Sequence, residues 1–133
     1  MNRTNERKIV FELVFTFPFN SGKNAEEIME IYADANDIEQ FSEYISNTVK
    51  GIYENLSVLD EKISSSIKTR KFERLDNVCL TAMRYATYEI LFSDDIPDSV
   101  AINEAIELTK KYDESLSAFV HGNLGIISKA KNV

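Results

Sequence analysis

"DDIPDSVAINEAIELTKKYDESLSAFVHGNLGIISK", residues 94–129, reads as two helices meeting at Asp113. Pro97 cannot continue a helix but suits the start of one, and the acidic residues beside it favour a first turn. From there Ala101, Ala105, Leu108 and Tyr112 recur at steps of three or four, flanked by Ile102, Ile106 and Thr109. Asn103, Glu107 and Lys110 fall on the opposite side, so the segment 98–112 is an amphipathic helix. A second helix is expected over about residues 115–129. Its interior holds Gly122 and Gly125, and each interior glycine weakens a helix by roughly 0.5–1 kcal/mol relative to alanine. Close approach of another helix would account for both, and that is the expectation they set.

Outward from this pair the same period continues. Val78 to Phe92 is apolar on most sides, as expected of a helix at the centre of a core. Upstream, Phe41, Ile45, Val49, Ile52, Leu56, Leu59, Ile63 and Ile67 predict a long helix from Ile38 to about Thr69, with Gly51 or Ser57 as points of interruption. Ile28, Ile31 and Tyr32 predict a short helix over about 24–34 with those three inward and Asn24 as its cap. Ile9, Val10, Leu13, Val14 and Phe17 mark an opening helix from Thr4, ended by Pro18, Asn20 and Gly22. No segment alternates with period two long enough to form a strand. The chain therefore reads as an all-α fold of six to seven helices in a single domain spanning residues 1–133.

The 133 residues are 44% hydrophobic and 28% charged, ordinary material for one packed core. Neither a signal sequence nor a membrane-length apolar run is present, so a cytoplasmic protein is expected. Cys79 is the one cysteine; it excludes an internal disulfide and, set in an apolar stretch, reads as core packing. Net charge is −7, which alone argues against nucleic acid. The charge is segregated, however. Residues 1–23 carry +2 and residues 62–84 carry +4, whereas residues 24–61 carry −9 and residues 85–133 carry −4. An acidic total can conceal basic patches.

The order of these pieces resembles the NusB family of bacterial antitermination factors over nearly the whole chain. Residues 94–112 are similar to the family's "DIP…VAINEAIELAK" signature, and "LDNVCLTAMRYATYEI", residues 75–90, resembles its preceding helix. "FVHGNL", residues 119–124, resembles "FVNGVL", and Arg3, Arg7 and Phe15 match an arginine-rich opening helix. The resemblance implies two packed three-helix sub-bundles and a role in ribosomal RNA transcription without catalytic activity. It implies partners too: single-stranded boxA-like RNA and the ribosomal protein NusE, with RNA polymerase and other elongation factors engaged indirectly. Part of the apolar surface of the two helices over 78–112 would serve NusE. Cys79 stands where the family often has an acidic residue, at a position expected near that partner.

Candidate RNA contacts follow from residue chemistry and from the resemblance together. Arg3, Arg7 and Lys8 open the chain with cations that can reach phosphates, and Phe15 offers a ring on which a base can stack. Lys68, Arg70, Lys71 and Arg74 form a second cationic run, which would also complement a helix C-terminus. Ser115 and Phe119 lie at the start of the last helix, where the resemblance places RNA contacts and where free N–H groups favour anions. Arg84, Glu89 and Glu104 read as ion pairs tying helices together rather than as an acid–base site. His121 has no second histidine or cysteine beside it, so no metal site is expected. No phosphate loop, nucleophile elbow or other catalytic motif occurs, and no cofactor is expected. The competing account is a helical protein-interaction module with little RNA affinity, monomeric or homodimeric through its apolar surface.

Overall fold

The computed structural model describes residues 2–131; among these there are seven α-helices, three short 3-10 turns and no strand. The expected single domain therefore includes positions 1, 132 and 133, which lie outside the described residues. The chain divides into two compact units, one running to Glu54 and the other from Asn55.

The first unit holds α1 (Arg3–Phe15), α2 (Ala25–Ala35) and α3 (Glu43–Glu54). Asn2 caps α1 by accepting from the Asn5 amide at 2.9 Å, and Val10, Phe11, Leu13 and Val14 form its buried face. The helix ends at Thr16, whose hydroxyl donates to the Leu13 carbonyl. Pro18 then sits in a 3-10 turn over Phe17–Phe19, so the predicted end at Phe17 moves back by two residues. Gly22, at φ 86°, supplies the left-handed turn that leads to α2. Asn24 and Glu27 form a reciprocal capping box at 2.9 and 3.0 Å, as the sequence led one to expect of Asn24.

Two expectations for this unit need correction. Ile31 is not inward but 47% exposed; Ile28 and Met29 fill the core instead, and Tyr32 is half-buried with its hydroxyl donating to Glu12 at 2.6 Å. The long helix from Ile38 is also not continuous. Asp37 takes a left-handed conformation (φ 53°) that closes α2, with the Ile38 amide returning to the Ala33 carbonyl. Helix α3 begins only at Glu43, after Ser42, whose hydroxyl oxygen accepts from the Ile45 amide. The break falls at Asn55, between the two residues proposed for it.

The second unit holds α4 (Leu56–Ser66), α5 (Asn77–Phe92), α6 (Asp98–Tyr112) and α7 (Ser117–Ala130). Helix α5 is its centre, with Cys79, Ala82, Met83, Tyr85, Ala86 and Ile90 buried. Cys79 is fully buried, so it packs in the core and does not present a surface to a partner. Arg84 forks onto Asp60 through two hydrogen bonds of 2.8 Å, joining α5 to α4. Helix α6 starts after Pro97 as expected, although Tyr112 at the end of its stripe is half-exposed. A single ammonium fastens three helix ends: Lys131 donates to Asp98 at 2.6 Å and to the Ile90 carbonyl at 2.9 Å, while Ser128 donates to the same aspartate.

The two glycines of α7 do not admit a neighbouring helix. Among the described residues, a Cβ placed on either Gly122 or Gly125 would meet nothing within 4 Å. Packing among the described residues leaves both positions open, so close approach of another helix does not account for these glycines.

Candidate nucleic-acid interface

In the first unit the two opening arginines assemble around a ring that sequence reasoning did not single out. The Arg3 guanidinium lies 3.8 Å from the centre of the Tyr44 ring, and that of Arg7 lies 5.8 Å from it. Such stacking is favourable by cation–π attraction and orients both groups. Glu6 binds the same cluster, pairing with Arg3 at 3.3 Å and accepting a short hydrogen bond from Ser42. The outcomes for the two arginines differ. Arg3 remains exposed, whereas Arg7 is only 5% exposed. Arg7 thus lies beneath the surface rather than extending from it as a reaching arm. Lys8 is exposed at the rim of a hollow lined by Tyr32 and Asn36.

Phe15 is half-buried within a ladder of rings. It stacks on the buried Phe11 at 6.3 Å and meets Phe19 at 6.1 Å, and Phe19 is 71% exposed. The ladder carries aromatic surface from the core of the first unit to solvent, ending one helical turn beyond the residue singled out from sequence.

In the second unit Lys68, Arg70, Lys71 and Arg74 are all exposed on the connector between α4 and α5, part of it the 3-10 turn Phe72–Arg74. The connector folds toward the start of α7, and the Arg70 guanidinium sits 4.6 Å from the centre of the half-buried Phe119 ring. This brings Arg70 and Lys68 of the second cationic run beside the candidate stacking residue. Beside Phe119 an open groove of about 310 Å³ is lined by Lys68, Gly122, Asn123 and Ile126 among others. Asn123 donates to the Phe119 carbonyl at 2.8 Å, fixing this turn of α7.

Ser115 is committed to its own loop. Its amide and hydroxyl both donate to Asp113 Oδ1, at 3.0 and 2.6 Å. Asp113 thereby caps the 3-10 turn Glu114–Leu116 that leads into α7, and its carboxylate beside the helix start reduces the pull on an external anion. Among the described residues no cluster of histidine, cysteine and carboxylate side chains could hold a metal ion, and no helix is long and apolar enough to cross a membrane.

What sequence missed was tertiary. Tyr44 meets Arg3 across 41 positions, and no local pattern marks such a contact. The groove beside Phe119 had one visible sign, the interior glycines, but their cause was misread.

Comparison with known proteins gives a consistent picture. The model of the NusB family matches residues 4–129. The transcription antitermination protein NusB of Clostridium botulinum (strain Kyoto / Type A2) is 40% identical, over 94% of this chain and 98% of its own length. The solved T. maritima NusB is 35% identical and superposes with a TM-score of 0.83 over 97% of this chain and 92% of that one. A chain from a crystal structure of the antitermination factors NusB and NusE in complex with dsRNA is 24% identical, with a TM-score of 0.83 over 96% of each; at that identity the likeness is one of fold.

Proposed function

This chain belongs to the NusB family, and on that premise we propose that it is a transcription antitermination factor of ribosomal RNA operons. It binds a boxA-like single strand of RNA together with the ribosomal protein NusE, and catalyses nothing. The observation that carries this reading is Arg70 lying over Phe119 with Lys68, Lys71 and Arg74 exposed on the same connector. Single-stranded RNA requires that combination, an aromatic face for bases beside cations for phosphates.

In this reading Arg3, Lys8, Lys68, Arg70, Lys71 and Arg74 meet phosphates. Phe119 stacks a base, and Phe15 backs a second stacking surface that ends at Phe19. Arg7 contributes charge from beneath Tyr44, and Ser115 shapes the loop that presents Phe119. Exposed Phe92 and Val100, on α5 and α6, supply apolar area for NusE. In the solved complex a NusB assembles with NusE and dsRNA, which supports this choice of partner. The two units work as one domain, and the site of action is the cytoplasm, where transcripts emerge.

The test is binding of a short uridine-rich single strand, followed by fluorescence anisotropy with and without NusE at two salt concentrations. Affinity should rise with NusE and fall steeply with salt as counterions are released. Phe119→Ala should weaken binding by roughly tenfold, the loss of one base stack. Absence of salt-sensitive binding under both conditions would leave only the protein-interaction module that the net charge of −7 favours.

A further inference from the structure

We propose that the RNA path on the second unit does not stop at Phe119 but continues along a trough between α4 and α7. Unpaired bases would rest against Gly122 and Ile126, and phosphates would meet Lys68 and then Lys62. This rests on the RNA-binding reading above and extends it from Lys68 to Lys62, Gly122 and Ile126, which that reading does not use.

Three independent features converge there. The first is shape. The groove beside Phe119 adjoins a second hollow of about 150 Å³ that reaches Lys62, Leu91 and Lys131, and the two share Ser66 and Ile126 as walls. From Phe119 to Lys131 the helix advances ~18 Å at its usual rise.

The second feature is the outward line of α7. Ala118, Gly122, Ile126 and Ala130 stand four residues apart on one face, and all four are exposed and uncharged. A side chain at Gly122 would meet no obstacle, so internal packing gives no reason for the glycine. A floor kept low for flat rings gives one.

The third is charge. Residues 62–72 and 115–131, which supply most of the trough's lining, contain six lysines and arginines and no aspartate or glutamate, and three of the six, Lys62, Lys68 and Lys131, line it. The other nine basic residues share the rest of the chain with all 22 acids. Among the described residues Glu61, at the far rim, is the one carboxylate that lines either hollow. Lys131 is held by Asp98, which leaves exposed Lys62 and Lys68 as the phosphate contacts among the lining cations. An apolar floor between cationic walls is complementary to a single strand of nucleic acid, and it is continuous with the Arg70–Phe119 stack.

The experiment compares a short oligouridine with one about twice as long, bound to the full chain with NusE present. Wild type should bind the longer strand more tightly. Gly122→Leu should fold with an unchanged or higher Tm, because its side chain enters open space, yet lose about tenfold in affinity for the longer strand. Lys62→Gln should lower the slope of log affinity against log salt by about 0.7 for the longer strand. Lys62→Gln should not alter binding of the short strand, whereas Phe119→Ala weakens both. If Gly122→Leu and Lys62→Gln bind the longer strand as wild type does while Phe119→Ala still fails, the extension is wrong and the RNA reading stands. Should the two variants impair NusE association instead, the trough is a protein groove and the proposal is overturned. No salt-sensitive binding of either strand by wild type removes both readings.

Discussion

At the scale of single residues, two side chains in α5 have environments that set measurable properties. The hydroxyl of Thr87 is sealed in the core with no hydrogen-bond partner among the described residues. A buried polar group in that state costs free energy that an apolar group of the same shape does not. Thr87→Val should therefore raise stability by about 1 kcal/mol, visible as a Tm increase of a few degrees in a thermal melt. Cys79 lies eight residues earlier on the same helix. Burial first, and then the nearby carboxylate of Asp76, push its thiol up to about 11, while Arg70 pulls the other way. The thiolate is the reactive form, so a thiol reagent at pH 8 should leave the native protein untouched and modify it fully once denaturant is added. Native-state labelling at the rate of the unfolded chain would contradict this burial.

Elements were legible where their signals are local and obscured where they are not. Pro97, the capping pair Asn24 and Glu27, and the stripe from Ala101 to Leu108 act within a turn or two of themselves, and their helices begin where the sequence placed them. The apolar period from Ile45 to Ile63 runs straight through the break at Asn55, so periodicity alone joins two helices into one. Ile31 failed for a related reason: the stripe of α2 is narrow, and Met29 took the inward place. The tie between α6 and α7 was also invisible, because Asp98 and Lys131 are 33 positions apart.

That tie carries a pH prediction. Partial burial works to raise the Asp98 carboxyl, but hydrogen bonds from Lys131 and Ser128 and the charge of Lys131 outweigh it and hold the group below its usual range. A carboxyl depressed by folding adds stability that is complete above its unfolded value, near 3.8, and is lost as pH falls through the lower folded value. Denaturant midpoints should thus decline below about pH 4 in the wild type. Asp98→Asn should be less stable at pH 7 and show a shallower acid decline.

For the whole molecule, charge is distributed unevenly enough that salt should act with opposite signs on folding and on binding. The segment 24–61 carries −9 and repels itself, so raising ionic strength from low values should increase the Tm of the free protein as the Debye length shrinks to about 10 Å at 0.1 M. The same change should weaken RNA binding, because Lys68, Arg70, Lys71 and Arg74 then compete with free cations. Paired melting and anisotropy titrations over one salt series would read both slopes, and two slopes of the same sign would refute the account. Composition disclosed this segregation from the sequence alone. The pairing of Arg70 with Phe119 was not disclosed, since the two lie 49 positions apart and meet only once α4 and α7 have packed.

The sealed thiol has a practical consequence. Because Cys79 is both the only cysteine and out of reach, a reporter cysteine can be introduced without first removing it. His121→Cys, on an exposed position two residues from Phe119, would accept a maleimide fluorophore selectively. Its emission would then register a strand arriving beside the aromatic ring in real time, in a protein whose core is untouched.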